Sequence, residues 1–196
     1  MKKLKLSAAA IIFGTILLLA ACGPGKVPDA KNWDVDSFTF TDQDREPFSK
    51  SDLKGKVWVA DFIFTNCETV CLPMTSNMAK LQERVKEEGL ADVEFVSFSV
   101  DPEMDTPDVL KKYASTFHVD FSNWHFLTGY GQKEIEQFAM ENFKTIVQKP
   151  KEQDQVIHGT DFYLVDQDGK IIRYYTGLNK IPMDEIIKHI KILQSN

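Results

Sequence analysis

Apolar residues follow one another almost without a break between residues 57 and 64, where Asp61 is the one charged position. Such a run predicts a strand that is buried on both faces of a sheet. The run ends at Thr65-Asn66-Cys67, and apolar residues then recur every three to four positions up to Gly89, which predicts a helix. A second buried strand is predicted from Val93 to Val100. The pattern therefore predicts a strand, a cysteine-containing loop, a helix and another strand.

The segments on either side continue this mixture of strands and helices. Phe38 and Phe40 alternate with threonines and predict a short entry hairpin, and Pro107 is placed to open a helix that runs through Phe117. The other predicted elements are a strand at 124–127, a helix at 132–143, a loop at 146–158, a hairpin formed by 162–165 and 171–175, and a final helix from Pro182. This order predicts a three-layer αβα fold with an N-terminal β-hairpin extension. Functional groups in such sheets gather beyond the carboxyl ends of the strands, where Cys67 is expected.

The N-terminal segment has the layout of a secretory signal peptide. Three lysines within the first five residues precede an uncharged run of about 15 residues, which is shorter than the ~20 that a transmembrane helix needs. We therefore predict a signal peptide at residues 1–21. Residues 22–32 contain two Gly and two Pro residues without periodicity and are predicted to be a linker. The folded domain is expected at 33–196.

The end of the signal segment carries a modification motif. Leu19-Ala20-Ala21-Cys22 resembles the lipobox of bacterial lipoproteins, in which the cysteine receives diacylglycerol and becomes the new N-terminus. The resemblance implies that Cys22 is lipidated and that the protein is anchored to the extracytoplasmic face of the cell membrane. The alternative is a free cysteine in a signal anchor.

Composition and charge narrow the classes of partner. Apolar residues make up 43% of the chain, which is typical of a globular protein and excludes disorder. The net charge is −6, and no basic block follows residue 5, so the chain has no electrostatic footprint for nucleic acid. We expect an acidic, monomeric domain.

Two cysteines remain in the exported domain, too few for a stapling disulfide framework. Cys67 and Cys71 are four residues apart, so their sulfurs share one helix face if the helix begins at or near Cys67. The positive end of a helix also makes a thiol more acidic, which suits disulfide exchange or metal binding. The alternative is two buried cysteines whose spacing has no chemical role.

Two thiolates and one imidazole would form a soft site suited to copper, whereas zinc usually takes a fourth protein ligand or water. Four histidines could supply the imidazole. We choose His158, because it lies at the entry to a strand that the sheet brings near the cysteine loop. His189 is interpreted as a solvated helix residue, His118 as a helix cap and His125 as a strand residue.

Three ordered motifs resemble the Sco/SenC family of copper proteins. Phe64 to Met74 contains the family's Cys-x-x-x-Cys loop, with Leu72 inserted before Pro73; Ser99 to Pro107 and the segment from His158 to Asp166 also match. The resemblance spans about residues 33–196. It implies a thioredoxin-like fold, one copper ion bound by Cys67, Cys71 and His158, and a position for Asp101 close to the site. An equal alternative for Asp101 is a turn aspartate before Pro102.

Family membership further implies a role in maturation of the CuA centre of cytochrome c oxidase subunit II. The first hypothesis is a copper-delivering metallochaperone. The second is a thiol-disulfide reductase that keeps the subunit II cysteines reduced. Thioredoxins carry a cis-proline before the strand that faces their cysteines, and Thr160 stands at that place here, which favours metal binding over exchange.

Two other chemistries are set aside. Peroxidase chemistry at Cys67 is disfavoured, because the preceding residues lack the Pro-x-x-x-Thr-x-x-Cys loop. Met74, Met78 and Met104 are soft ligands in principle, but methionines at helical spacing are more often core residues.

Overall fold

A computed structural model describes residues 25–67, 69–151 and 153–195. Its centre is a six-stranded sheet. The sheet strands are β1 (Trp33–Asp34), β4 (Val57–Ile63), β5 (Val93–Ser99), β6 (Trp124–Leu127), β9 (Asp161–Val165) and β10 (Lys170–Thr176). Their order across the sheet is β1-β10-β9-β4-β5-β6. Two small ribbons pair β2 (Thr39–Thr41) with β3 (Pro47–Ser49) and β7 (Val147–Gln148) with β8 (Ile157–His158).

Within the described residues, four helices accompany the sheet. They are α1 (Cys71–Glu87), α2 (Pro107–Ser115), α3 (Gln132–Phe138) and α4 (Met183–Gln194). A 3₁₀ turn at Lys50–Leu53 follows β3, and a π turn at Ala139–Phe143 continues α3. None of the helices in these ranges is long and apolar enough to span a bilayer.

The sheet separates two apolar layers. On one face, residues of α1, α2 and α4 such as Met78, Leu110 and Ile190 pack against the strands. On the other face, the β2–β3 hairpin and α3 contribute Phe40 and Phe138 to a second layer. The predicted three-layer αβα fold with an N-terminal hairpin is therefore confirmed, and it is the thioredoxin-like fold.

Strand direction places the cysteine loop at one end of the sheet. β4 runs parallel to β5, and β5 runs parallel to β6, so their carboxyl ends meet at the same edge. β9 lies antiparallel beside β4, which brings the residues that precede β9 to that edge as well. The cysteines after β4 and the histidine before β9 are thereby neighbours.

Several elements differ from the sequence-based expectation. The predicted loop at 146–158 contains the β7–β8 ribbon, which pairs Val147 with His158. The predicted helix at 132–143 changes from α to π geometry at Ala139. The edge strand β1 has only two residues, too short to leave a periodic pattern.

The N-terminal part of the chain contributes contacts that the composition does not suggest. Val27, in the segment predicted as a linker, is buried in the layer beneath α4, and Lys31 N–H donates to the Ile172 carbonyl at 2.9 Å. The predicted signal peptide and Cys22 lie outside the described residues.

Candidate metal centre

Cys67 and Cys71 lie where β4 gives way to α1. The helix begins at Cys71, not at or near Cys67, so Cys67 belongs to the preceding loop. The N–H of Cys71 nevertheless donates to the Cys67 sulfur at 3.3 Å. The Cys67 sulfur thus satisfies a free donor at the helix N-terminus, the position where negative charge is stabilised. The sulfurs still come together, because the loop folds back onto the first helical turn.

The pKa values of the two thiols are shifted in opposite directions. A hydrogen bond from the Cys71 thiol holds the pKa of Cys67 far below its usual range, despite partial burial. That bond and burial raise the pKa of Cys71. These opposite shifts favour the thiolate form at Cys67 and the thiol form at Cys71.

His158 completes the group from the β7–β8 ribbon. Its Nδ1–H donates to the Gly159 carbonyl at 2.8 Å, since a carbonyl can only accept. Nε2, the other ring nitrogen, lies 3.3 Å from the Cys71 sulfur. Metal-bound histidines commonly have this arrangement, in which one ring nitrogen is held by the backbone and the other is free to ligate. The Phe64 ring packs edge-on against the imidazole at 5.7 Å between centroids.

The three donor atoms all lie within 4.8 Å of one another. Across the residues that the structure describes, no other group of three cysteine, histidine or acidic side chains is spaced to hold a metal ion. Two sulfurs and one imidazole nitrogen match the preference of copper for soft donors. The residues therefore fit a copper ion, with Cys67 and Cys71 buried and His158 half-buried.

Asp105 positions the cysteine loop, a role that sequence reasoning missed. Its buried carboxylate accepts the Thr65 hydroxyl at 2.5 Å, the Thr65 N–H at 3.2 Å and the Ser99 hydroxyl at 2.5 Å. Burial raises the pKa of Asp105. These bonds join the end of β5 to the residues just before Cys67. A turn aspartate of this kind looks solvated in a sequence, because its partners lie far along the chain.

Gly159 allows the ribbon to approach the domain closely. A Cβ at this position would lie 2.1 Å from the Thr145 hydroxyl and 3.4 Å from the Thr145 Cβ. Both residues adjoin the ribbon, one before β7 and one after β8. Glycine here therefore keeps His158 at its distance from the cysteines.

Asp101 is not among the three clustered donors. Its buried carboxylate forms an ion pair with Lys149 at 2.7 Å, and Lys149 also lies 3.4 Å from Glu103. Lys149 directly follows β7, so this pair ties the turn after β5 to the ribbon that carries His158. The contact supports the ribbon instead of supplying a ligand.

Asp61 is a second acidic group that the sequence did not mark as functional. It is fully buried in β4, and the Ser97 hydroxyl donates to it at 2.6 Å. Burial raises its pKa to about 7. A positive charge on His158 would lower the pKa of this carboxyl, so Asp61 lies within electrostatic reach of the site.

The other three histidines lie outside the donor group. His118 follows α2 with a left-handed φ of 56°, as a helix-ending residue does. His125 stays on β6, where it stacks on Phe48 and lies 3.4 Å from Glu94. The expectation of a solvated His189 is wrong: it is buried, and its Nδ1 is 2.6 Å from the Tyr175 hydroxyl.

The three methionines differ in burial. Met74 and Met78 are fully buried on the inner face of α1, as predicted for core residues. Met104 is exposed in the turn after β5, so the core interpretation is wrong for this residue.

This thioredoxin-like domain brings two cysteines and a histidine together beyond the carboxyl end of its sheet. These features define the class of thiol-based metal and redox proteins. Comparison with known families narrows this class. The SCO1/SenC family model matches residues 28–194. The chain therefore belongs to the SCO1/SenC family. The SCO1 protein homolog of Bacillus subtilis (strain 168) is 51% identical over 191 residues, which cover 97% of each chain.

Solved structures agree with this assignment. A SCO1/SenC family lipoprotein from Bacillus anthracis str. Ames is 54% identical with a TM-score of 0.83, covering 85% of this chain and 98% of its own. BsSco, described as a member of the Sco family of cytochrome c oxidase assembly proteins with a disulfide switch, is 52% identical with a TM-score of 0.80, covering 86% and 98%. Yeast Sco1 with copper bound is 25% identical with a TM-score of 0.66, covering 81% and 89%.

Proposed function

We propose that this protein binds one copper ion through Cys67, Cys71 and His158 and delivers it to the CuA centre of cytochrome c oxidase subunit II. The observation that carries the proposal is the meeting of these three donors within 4.8 Å, on a frame shared with a relative crystallised with copper. Membership in a family that includes cytochrome c oxidase assembly proteins supports the oxidase as the partner.

The donor chemistry supports copper in either oxidation state. Cu(I) prefers soft thiolates, and Cu(II) accepts a thiolate together with an imidazole. The lowered pKa of Cys67 favours its thiolate form, and the Cys71 proton would leave when a metal ion replaces it. His158 offers its free nitrogen without rearrangement of the hydrogen bond to Gly159.

A thiol-disulfide reductase is the second candidate. Its support is the thiolate and thiol pair of Cys67 and Cys71, whose joint oxidation to a disulfide would reduce a disulfide in subunit II to two thiols. The disulfide switch named for BsSco is consistent with such a reversible pair in a relative.

Copper titration of the reduced domain tests the proposal. We expect residues 23–196 to bind one Cu(II) ion and to develop a charge-transfer band from thiolate to Cu(II), because a sulfur ligand donates electron density directly to the metal. Absorption spectroscopy during titration with Cu(II), and with Cu(I) in parallel, measures both stoichiometry and ligation. A reduced domain that binds no copper would contradict the proposal and leave thiol exchange as the role.

We further propose that Cys22 is the lipidated N-terminus and that the lipid holds the domain at the extracytoplasmic face of the cell membrane. The lipobox-like sequence supports this, as does the description of the Bacillus anthracis relative as a lipoprotein. Cys22→Ala should leave the precursor unprocessed, because lipoprotein signal peptidase requires the modified cysteine. Immunoblotting of membrane fractions measures this, and unchanged size and processing of the variant would contradict it.

A further inference from the structure

Four large apolar side chains are exposed around the candidate metal centre. Leu72 directly follows Cys71 and is 53% exposed, and Ile157 directly precedes His158 and is 56% exposed. Ile146 is 57% exposed just before β7, and Met104 is 59% exposed in the turn after β5. We call these four residues the apolar collar. Solvent-exposed apolar side chains that cluster in this way mark interaction sites more often than scattered ones do.

The geometry of the β7–β8 ribbon explains why two of these residues face outward. Val147 pairs with His158 across the ribbon, so these two side chains share one face. Val147 is buried, which identifies that face as the inner one. Ile146 and Ile157 are each one residue away and therefore belong to the opposite, outer face. The same alternation that directs His158 toward the cysteines thus presents two isoleucines to solvent.

The other two members of the collar are joined to this ribbon through the site itself. Leu72 and Ile157 each directly follow or precede one partner of the 3.3 Å contact between the Cys71 sulfur and His158, so both backbone positions flank the site. The ion pairs of Lys149 with Asp101 and Glu103 hold the turn that carries Met104 against the ribbon.

The point where the described fold begins indicates that the collar faces away from the lipid anchor. Gly25 lies against Ile192 in the last turn of α4. That end of α4 is close to the start of β4, because Gln167 donates to the Leu193 carbonyl and accepts from the N–H of Gly55. Cys22 is three residues from Gly25, a reach of about 10 Å, whereas β4 separates the two ends of the sheet by about 20 Å. With the lipid that we propose at Cys22, the collar would lie at the end of the sheet opposite the anchor.

We infer that the apolar collar is the docking surface for the protein that exchanges copper with this site. This inference rests on the proposed function. The two sulfurs are buried, and ligand exchange requires an incoming donor atom within bonding distance of the metal, about 2.0–2.3 Å. A partner must therefore press its own copper ligands into the centre of the collar, and an apolar rim on the partner would cover Leu72 and Ile157. Such a partner is a copper-binding protein with thiolate, thioether or imidazole ligands at an apolar surface.

The test uses the full chain, loaded with copper in detergent, and the CuA domain of cytochrome c oxidase subunit II as the probe. The collar variant combines Leu72→Ser and Ile157→Ser. We expect it to bind one copper ion as the unchanged protein does, but to associate with the CuA domain and transfer copper at least about tenfold more weakly, since buried anchors carry most of an interface's affinity. Titration calorimetry and the appearance of the CuA spectrum measure the two effects.

Matched variants separate the apolar surface from the metal centre. Leu72→Met and Ile157→Leu keep the apolar character and should transfer copper normally. Val109→Ser removes another exposed apolar residue, 39% exposed on α2 beside Asp108, whose ion pair with Arg45 lies at the hairpin side of the domain. This variant should also transfer normally.

Each contrary result has a distinct meaning. Normal copper binding together with normal transfer by the Leu72→Ser and Ile157→Ser variant would overturn the docking surface and leave the proposed function in place. Loss of self-association instead of loss of CuA binding, measured by sedimentation, would overturn it in favour of an interface between two copies of this chain. An unchanged protein that binds no copper would overturn the proposed function and the docking surface together.

Discussion

Cys67→Ala, Cys71→Ala and His158→Ala are each expected to abolish tight copper binding while the domain stays folded. The three donors meet within 4.8 Å and come from the cysteine loop, the first residue of α1 and the β7–β8 ribbon. A three-ligand site loses its chelate when one arm is removed. The loss should exceed the ~10–100-fold that removal of an outer hydrogen-bond partner costs a metal site. The charge-transfer band and the bound copper per protein measure the effect.

The three variants should differ in what remains of the site. Cys71→Ala removes the thiol that donates to Cys67, so the Cys67 thiolate loses its largest stabilising contact and its pKa rises toward the ordinary range. His158→Ala leaves the thiolate and thiol pair in place. We therefore expect His158→Ala to lose Cu(II) binding and still form a disulfide between Cys67 and Cys71 on oxidation.

The remaining histidines provide the controls. His118→Ala should leave both folding and copper binding unchanged, because His118 lies outside the donor group and only ends α2. His189→Ala should lower the free energy of unfolding, since it leaves the Tyr175 hydroxyl without its buried partner, and should keep the copper spectrum. A spectrum that survived in His158→Ala and vanished in His125→Ala would show that the imidazole was assigned wrongly.

The regular elements were predictable because their signals are local. The nearly unbroken apolar run of β4 and the periodicity of α1 each lie within one segment of the chain. In the structure, β4 ends one residue before its predicted end and α1 ends two residues before Gly89. The choice of His158 also followed from topology, since a residue that enters a strand beside β4 must approach the loop that leaves β4. The start of α1 was harder to predict. Cys67 lies in the loop before the helix, and its sulfur accepts the N–H of Cys71, the first helical residue.

The supporting contacts were not predictable, because they join residues far apart in the chain. Asp105 is recognisable as a loop-positioning residue only once Thr65 is beside it, 40 positions away. His189 is buried and has the hydroxyl of Tyr175, on β10, as its partner. The residue pattern of its own helix does not reveal that partner. The β7–β8 ribbon has two residues in each strand, too few for alternation to appear, and it exists because the domain packs against its inner face.

Deletion of this protein is expected to lower the activity of oxidases that contain CuA and to spare quinol oxidases, which lack that centre. The expectation combines a candidate copper site, a family of oxidase assembly proteins and the lipid anchor that we propose beside the membrane enzyme. Cytochrome c oxidation and quinol oxidation by membranes of the deletion strain measure the two activities separately. Complementation with the unchanged chain is the control, and the His158→Ala chain is the matched one that keeps both cysteines.

Supplements to the growth medium separate delivery from reduction. If the protein delivers copper, added copper should restore CuA oxidase activity at least in part, because mass action can replace a carrier. If it reduces the subunit II cysteines, a small-molecule thiol should restore the activity instead, and the His158→Ala chain, whose cysteine pair is intact, should complement the deletion. Equal loss of both oxidase types would contradict the copper role and would indicate a general thiol function. Because the proposed function assigns His158 to metal binding and not to the disulfide, the His158→Ala strain decides between the two roles even where the supplements act weakly.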